Sequence, residues 1–198
     1  MAASKKKKPN IQSLATGGIL TALVVVLQML GQFIKFGPFS ISLVLVPIVL
    51  GAALCGTKVS TWLGFVFGIA VLYTDAGLFL EISPIGTVIT VMLKGTLCGL
   101  AAGLVYNALN KKLKKNTFAV MAAALVCPVV NTGIFLLGCV VFFLETVRGW
   151  GVAGGFENVA TYLIVGMVGI NFLVELAINI FLSPVVVRII GISKKLHK

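Results

Sequence analysis

The stretch from Ser83 to Tyr106, SPIGTVITVMLKGTLCGLAAGLVY, is apolar enough to cross a membrane, yet it carries Lys94 about ten residues from its proline start. At ~1.5 Å per helical residue that is ~15 Å of depth, near the middle of a ~30 Å hydrocarbon core. A lysine there costs roughly 2.5 to 3.5 kcal/mol on insertion scales, so it must face protein or water and find partners. Two chemistries suit it: binding an anionic ligand, or closing a buried ion pair that fixes helix packing. Ser83, Thr87, Thr90 and Lys94 fall at i, i+4, i+7 and i+11, which places them on one helix face. A second polar face is predicted in the last apolar segment, where Asn171, Glu175 and Asn179 recur every fourth residue. Asn131 and Thr132 lie near the centre of the segment before it. Lys94, Asn131 and Asn171 thus occupy the middles of three segments and can meet at one depth, either as a ligand site or as an interhelical hydrogen-bond cluster worth ~0.6 kcal/mol per contact. Glu175 is the acid that could neutralise Lys94.

The elements that must position these groups are membrane helices. The chain of 198 residues is 59% hydrophobic and 11% charged, with a mean hydropathy of +1.13, far from the usage of a soluble domain. Its apolar runs are continuous and do not alternate, which favours helices over a barrel. The fold class expected is an all-α integral membrane protein, a bundle of six transmembrane helices. The spans are about 11–33, 41–54, 59–73, 83–106, 118–144 and 159–190, between basic tails at 1–10 and 191–198. The second and third are short and Pro47 interrupts the second, which predicts irregular backbone facing a cavity or other helices. Ser83 reads as an N-cap with Pro84 at the first helical position. Gly95, Gly99 and Gly103 form a small-residue packing face beside the polar one. Pro128 can kink the fifth span and free a carbonyl. The turns are placed at Gly56 to Lys58 and at Asn110 to Asn116, and Glu145 to Asn158, rich in glycine, reads as a mobile loop able to act as a lid.

Basic residues set the orientation. Lys5 to Lys8, Lys58, Lys111, Lys112, Lys114, Lys115, Arg188, Lys194, Lys195 and Lys198 fall on one side of the spans, and Lys35 and Arg148 on the other. The positive-inside rule then puts both termini in the cytoplasm. The first apolar run is too long for the core of a signal peptide, so it is read as a retained span.

Other function classes fit poorly. The net charge of +11 is explained by these juxtamembrane clusters and does not call for nucleic acid. Cys55, Cys98, Cys127 and Cys139 lack CxxC spacing, so they read as core residues rather than zinc ligands or a disulfide framework. The single histidine, His197, lies in the tail, no HExxH or Walker A sequence occurs, and no Ser/His or paired-Asp arrangement can be drawn in the membrane. An enzyme is not expected, nor a cofactor or metal. An autonomous secondary transporter or channel is the remaining alternative, raised by the ionisable residues of spans four and six, although no inverted repeat is evident. Dependence of uptake on separate ATPase subunits would discriminate the two.

From the basic N-terminus and Gly18xxxAla22 of the first span, through ISLVLVPIVLGAALCGTKVSTWLGFVFG at Ile41 to Gly68, to the lysine span and the asparagines of the last two, the chain resembles the substrate-binding S components of energy-coupling factor (ECF) vitamin transporters. That resemblance implies a bacterial plasma-membrane subunit that captures a water-soluble vitamin, hydrolyses nothing itself, and associates with a transmembrane T component and two ATPase subunits. It implies docking on the T component through Gly18 and Ala22, with glycine where the family usually has alanine; as a plain small-xxx-small pair the two residues would serve equally well for packing within the bundle. It also implies a pocket open to the outside, roofed by the loops after spans one, three and five and lined by spans four to six. The expected binding residues are Thr87, Thr90, Lys94, Asn131, Asn171 and Glu175. A buried lysine beside a capped helix N-terminus suits a carboxylate, so pantothenate or a folate is expected; riboflavin or another vitamin is the alternative, with acidic Glu175 standing where a basic group would be expected for riboflavin.

Overall fold

The computed structural model describes residues 11–36, 39–40, 42–113 and 116–196. Residues 1–10, 37–38, 41, 114–115 and 197–198 lie outside them, and with them the basic N-terminal tail, His197 and part of the turn expected at Asn110 to Asn116. Five helices are long and apolar enough to cross a membrane: α1 (Ile11–Gly31), α3 (Thr57–Thr74), α5 (Pro84–Leu113), α6 (Asn116–Phe142) and α9 (Gly169–Leu196). The shorter α2 (Leu45–Cys55) completes a bundle of about six. Between α1 and α2 the chain makes a two-residue antiparallel ladder, β1 (Lys35–Phe36) with β2 (Phe39–Ser40). Three short helices lie between the spans: α4 (Gly77–Ile82), α7 (Leu144–Ala153) and α8 (Val159–Thr161), the last continuing into a π-helical stretch, Tyr162–Met167, before α9.

Several boundaries differ from the sequence expectation, each for a local reason. Only Gly56 separates α2 from α3, with φ of +86°, a conformation that costs other residues roughly 1–2 kcal/mol; Thr57 and Lys58 already belong to α3. Helix α5 runs on to Leu113, because leucine, asparagine and lysines beyond the membrane continue a helix readily once it is nucleated. The segment read as a lid loop is in fact mostly α7. Val147 and Gly151 are buried beneath it and Trp150 meets Phe79 at 5.7 Å between ring centres, so packing of one face outweighs the helix-weakening glycines. Only the stretch after Ala153 is non-helical there, with Gly155 at φ +77°.

The interior holds two apolar clusters. One joins α1, α2, α3, α5, α6 and the far end of α9 through residues such as Val24, Leu45, Ile48, Leu63, Phe67, Cys98, Cys127 and Ile190. The other gathers Phe79, Cys139, Phe143, Val147, Leu163 and Met167. Phe79 is the hub of the second, edge-on to Phe143 at 4.9 Å and to Phe135 at 5.8 Å.

The tightest contact is between α3 and α5. A Cβ on Gly64 would overlap the carbonyl oxygen of Gly95, one on Gly99 the carbonyl oxygen of Ser60, and one on Gly103 would lie 2.7 Å from Thr57 Cα. The small-residue face of α5 therefore meets a matching face on α3, and backbones touch where side chains would otherwise intervene. By contrast, Gly18 and Ala22 on α1 are exposed, and a Cβ on Gly18 would meet nothing within 4 Å. They take no part in packing inside the chain; Gly17 is the buried glycine of that turn, facing Val59.

Candidate functional site

Helix α5 begins as its sequence requires. Pro84 needs no hydrogen bond at the first position, and Ser83 Oγ accepts from the Gly86 N–H at 3.3 Å. This fixes the register of the polar face. Thr87 and Thr90 are buried one and two turns in, and Lys94 follows a turn later. Because α3 lies against α5 at its glycines, Phe67 of α3 reaches the Lys94 ammonium, whose Nζ is 5.6 Å from that ring centre; Phe135 of α6 stands at 5.4 Å. Aromatic faces attract a cation but do not neutralise it. Among the described residues no salt bridge joins Lys94 to a carboxylate.

Helix α6 approaches α5 closely because Gly138 leaves room for the Thr90 side chain. It runs through Pro128 without interruption and brings Asn131, 4% exposed, to the level of Lys94. Asn171 and Glu175 arrive from α9, immediately after the π-helical stretch, whose wider turn resets the register of the last span. Glu175 is engaged elsewhere than at Lys94: its Oε1 accepts from the Ser42 backbone N–H at 2.9 Å. Of the two alternatives for Glu175, a direct ion pair with Lys94 is not formed; the carboxylate secures the chain entering α2 and still lines the same cavity as the lysine. Asn179, one turn further along, donates to the Glu175 carbonyl at 2.8 Å and lies outside the lining.

Thr87, Thr90, Lys94, Asn131, Asn171 and Glu175 all line one cavity between the two apolar clusters, with about 760 Å³ of atom-free space counted out to its mouth. Phe79, Phe135, Phe143 and Phe172 supply an aromatic wall. This mixture, largely apolar with a few convergent polar groups, is the usual make-up of a small-molecule site. Gly18 and Ala22 are not part of it.

Gln28 and Asp75 are among the lining residues that the sequence reading missed. Gln28 of α1 is 2% exposed and donates through Nε2 to Asp75 Oδ2 at 2.7 Å and to Thr74 Oγ1 at 3.0 Å. Asp75 is the C-cap of α3 and borders the same cavity. A lone amide in an otherwise apolar span was the available signal, since hydrocarbon exposure of such a group is costly. Three buried oxygens on the lining, Gln28 Oε1, Thr90 Oγ1 and Asn131 Oδ1, have no hydrogen-bond partner among the described residues. In a folded protein such atoms call for water or a ligand.

The arrangement can hold a polar organic molecule by charge, hydrogen bonds and aromatic contact. Comparison with known proteins gives the same sense of its role: residues 12–187 match the family described as ECF transporter, substrate-specific component. No curated protein and no solved structure matches the chain. A multi-pass helical membrane protein matched over nearly its whole length, the chain belongs to the family of ECF transporter substrate-specific components.

Proposed function

We propose that this protein captures an anionic water-soluble vitamin, of the pantothenate or folate class, at the outer face of a bacterial plasma membrane and delivers it to a T component and two ATPase subunits. The observation that carries the reading is Lys94, an ammonium group held between Phe67 and Phe135 on a cavity that Glu175 and Asp75 also line, with no direct salt bridge from it to either carboxylate among the described residues. A carboxylate from the substrate supplies that direct contact. Thr90 and Asn131 lie within the same lining to bond its polar atoms, and the phenylalanine wall covers its carbon skeleton. Orientation rests on the basic residues, which place the cavity half of the bundle, with α4 and α7, outside. Native mass spectrometry of the detergent-purified protein tests the reading: a co-purified carboxylate-bearing vitamin is expected, and a bound cation or neutral molecule in its place would overturn it.

Docking on the T component is assigned to the exposed Gly18 and Ala22, whose small side chains permit close approach of a partner helix. Gly18→Leu with Ala22→Leu is expected to abolish uptake in cells supplying the other subunits while leaving substrate affinity within about twofold, because neither residue touches the cavity. Undiminished uptake by the double variant would show that this face meets only lipid.

A further inference from the structure

We infer that the substrate carries, at the end remote from its carboxylate, a hydroxyl or N–H group that donates to Gln28, and that Asp75 determines this preference. The inference rests on the proposed binding of a carboxylate at Lys94.

An amide can present either its oxygen or its nitrogen to a ligand, and side-chain amides are usually free to turn. Gln28 is not. Its Nε2 donates to the Asp75 carboxylate at 2.7 Å and to Thr74 Oγ1 at 3.0 Å. A carboxylate accepts hydrogen bonds and offers none, so reversing the amide would set two acceptors against each other. The oxygen is therefore the end left over, and it is buried on the cavity lining with no donor among the described residues. An orphan acceptor of this kind loses free energy until a donor reaches it. A hydroxyl or N–H on the substrate relieves it; an ether, ester or aromatic nitrogen does not.

Position gives the substrate its length. Gln28 stands three residues from the outer end of α1, about 5 Å, and Lys94 about 15 Å from that of α5. With these two helix ends taken as level, the acceptor and the ammonium are separated by about 10 Å along the bundle. A molecule that satisfies both is elongated, with an acid at one end and a hydrogen-bond donor at the other.

The test is isothermal titration of the purified full-length protein with three probes: pantothenate, which has two hydroxyls remote from its carboxylate; N-isovaleryl-β-alanine, which keeps the amide and carboxylate but lacks both hydroxyls and one methyl group; and nicotinate, a carboxylate with no remote donor. Wild type is expected to prefer pantothenate over N-isovaleryl-β-alanine by about tenfold or more. Gln28→Met should weaken pantothenate about tenfold and N-isovaleryl-β-alanine less than twofold, the retained binding showing that the variant is folded. Asp75→Ala, which releases the amide to turn, should erase most of the preference, and Asp75→Asn, which can still accept from Gln28, should restore part of it. If wild type binds pantothenate and N-isovaleryl-β-alanine equally, or Gln28→Met weakens both alike, the inference fails while carboxylate capture stands. Binding of nicotinate alone has the same meaning. If none of the three binds, the inference is overturned together with the assignment of a small carboxylate to Lys94.

Discussion

Gly99→Leu is expected to yield no folded protein. A Cβ at this position would already overlap the Ser60 carbonyl oxygen, and Thr61 Cα lies 3.2 Å away. Both obstacles are backbone atoms of α3, which cannot rotate aside as a side chain can. Overpacking of a core commonly costs 1–3 kcal/mol when neighbours can adjust; here two helices must separate along a contact that also includes Gly64, Gly68, Gly95 and Gly103, so the loss should exceed about 3 kcal/mol. The matched control is Gly18→Leu, with nothing within 4 Å of its Cβ, which should melt within a few degrees of wild type. Size-exclusion chromatography and thermal melting in detergent read both. A monodisperse Gly99→Leu protein with native stability would mean that α3 and α5 do not meet through these glycines.

The second large effect belongs to Lys94→Met. Loss of a charge-assisted contact worth on the order of 1.5 to 3 kcal/mol should weaken binding of a carboxylate substrate by roughly tenfold to a hundredfold. Stability should hold, because Glu175 has the Ser42 N–H as its own partner and is not stranded by removal of the lysine. If instead the two side chains depended on each other, Lys94→Met would cost about 3–5 kcal/mol and Glu175→Gln in the same protein would recover much of it. Affinity by titration and stability by melting, on the single and double variants, distinguish these results. Unchanged affinity in a stable Lys94→Met protein would remove the lysine from the site and the anionic preference with it.

Features that depend on one helix at a time were legible in the sequence. The spacing of Thr87, Thr90 and Lys94, the cap at Ser83 and the glycine face of α5 follow from helix period alone, and the lining indeed collects the polar faces of α5, α6 and α9. What escaped depends on partners brought from afar. Asp75 joins the site only because α3 ends beside Gln28, forty-seven residues earlier in the chain. Glu175 could be read as a partner for Lys94 or as a ligand group, and the period of α9 gave no hint that a backbone N–H three residues before α2 would bond it. Helix α7 was hidden by its own glycines: local propensity favoured a loop, and the packing of Val147 and Trp150 on the aromatic cluster reversed it. The π-helical stretch has no sequence signature that period alone can reveal, since it shifts a register rather than interrupting one.

The shortness of α2 has an electrical consequence. Eleven residues cover only ~16 Å of a ~30 Å core, and beside them lies a cavity walled by hydrogen-bonding groups. Filled with water, that cavity carries the polarisability of the outer solution inward as far as Lys94. The transmembrane voltage then falls mainly across the densely packed apolar layer on the other side, through Phe67, Cys98, Cys127 and their neighbours. A charge crossing the full field gains or loses about 2.3 kcal/mol per 100 mV, but an anion settling at Lys94 would traverse only a minor fraction of that drop. In the proposed orientation, capture of an anion at Lys94 is then expected to follow its concentration outside the cell and to depend little on how strongly the membrane is energised.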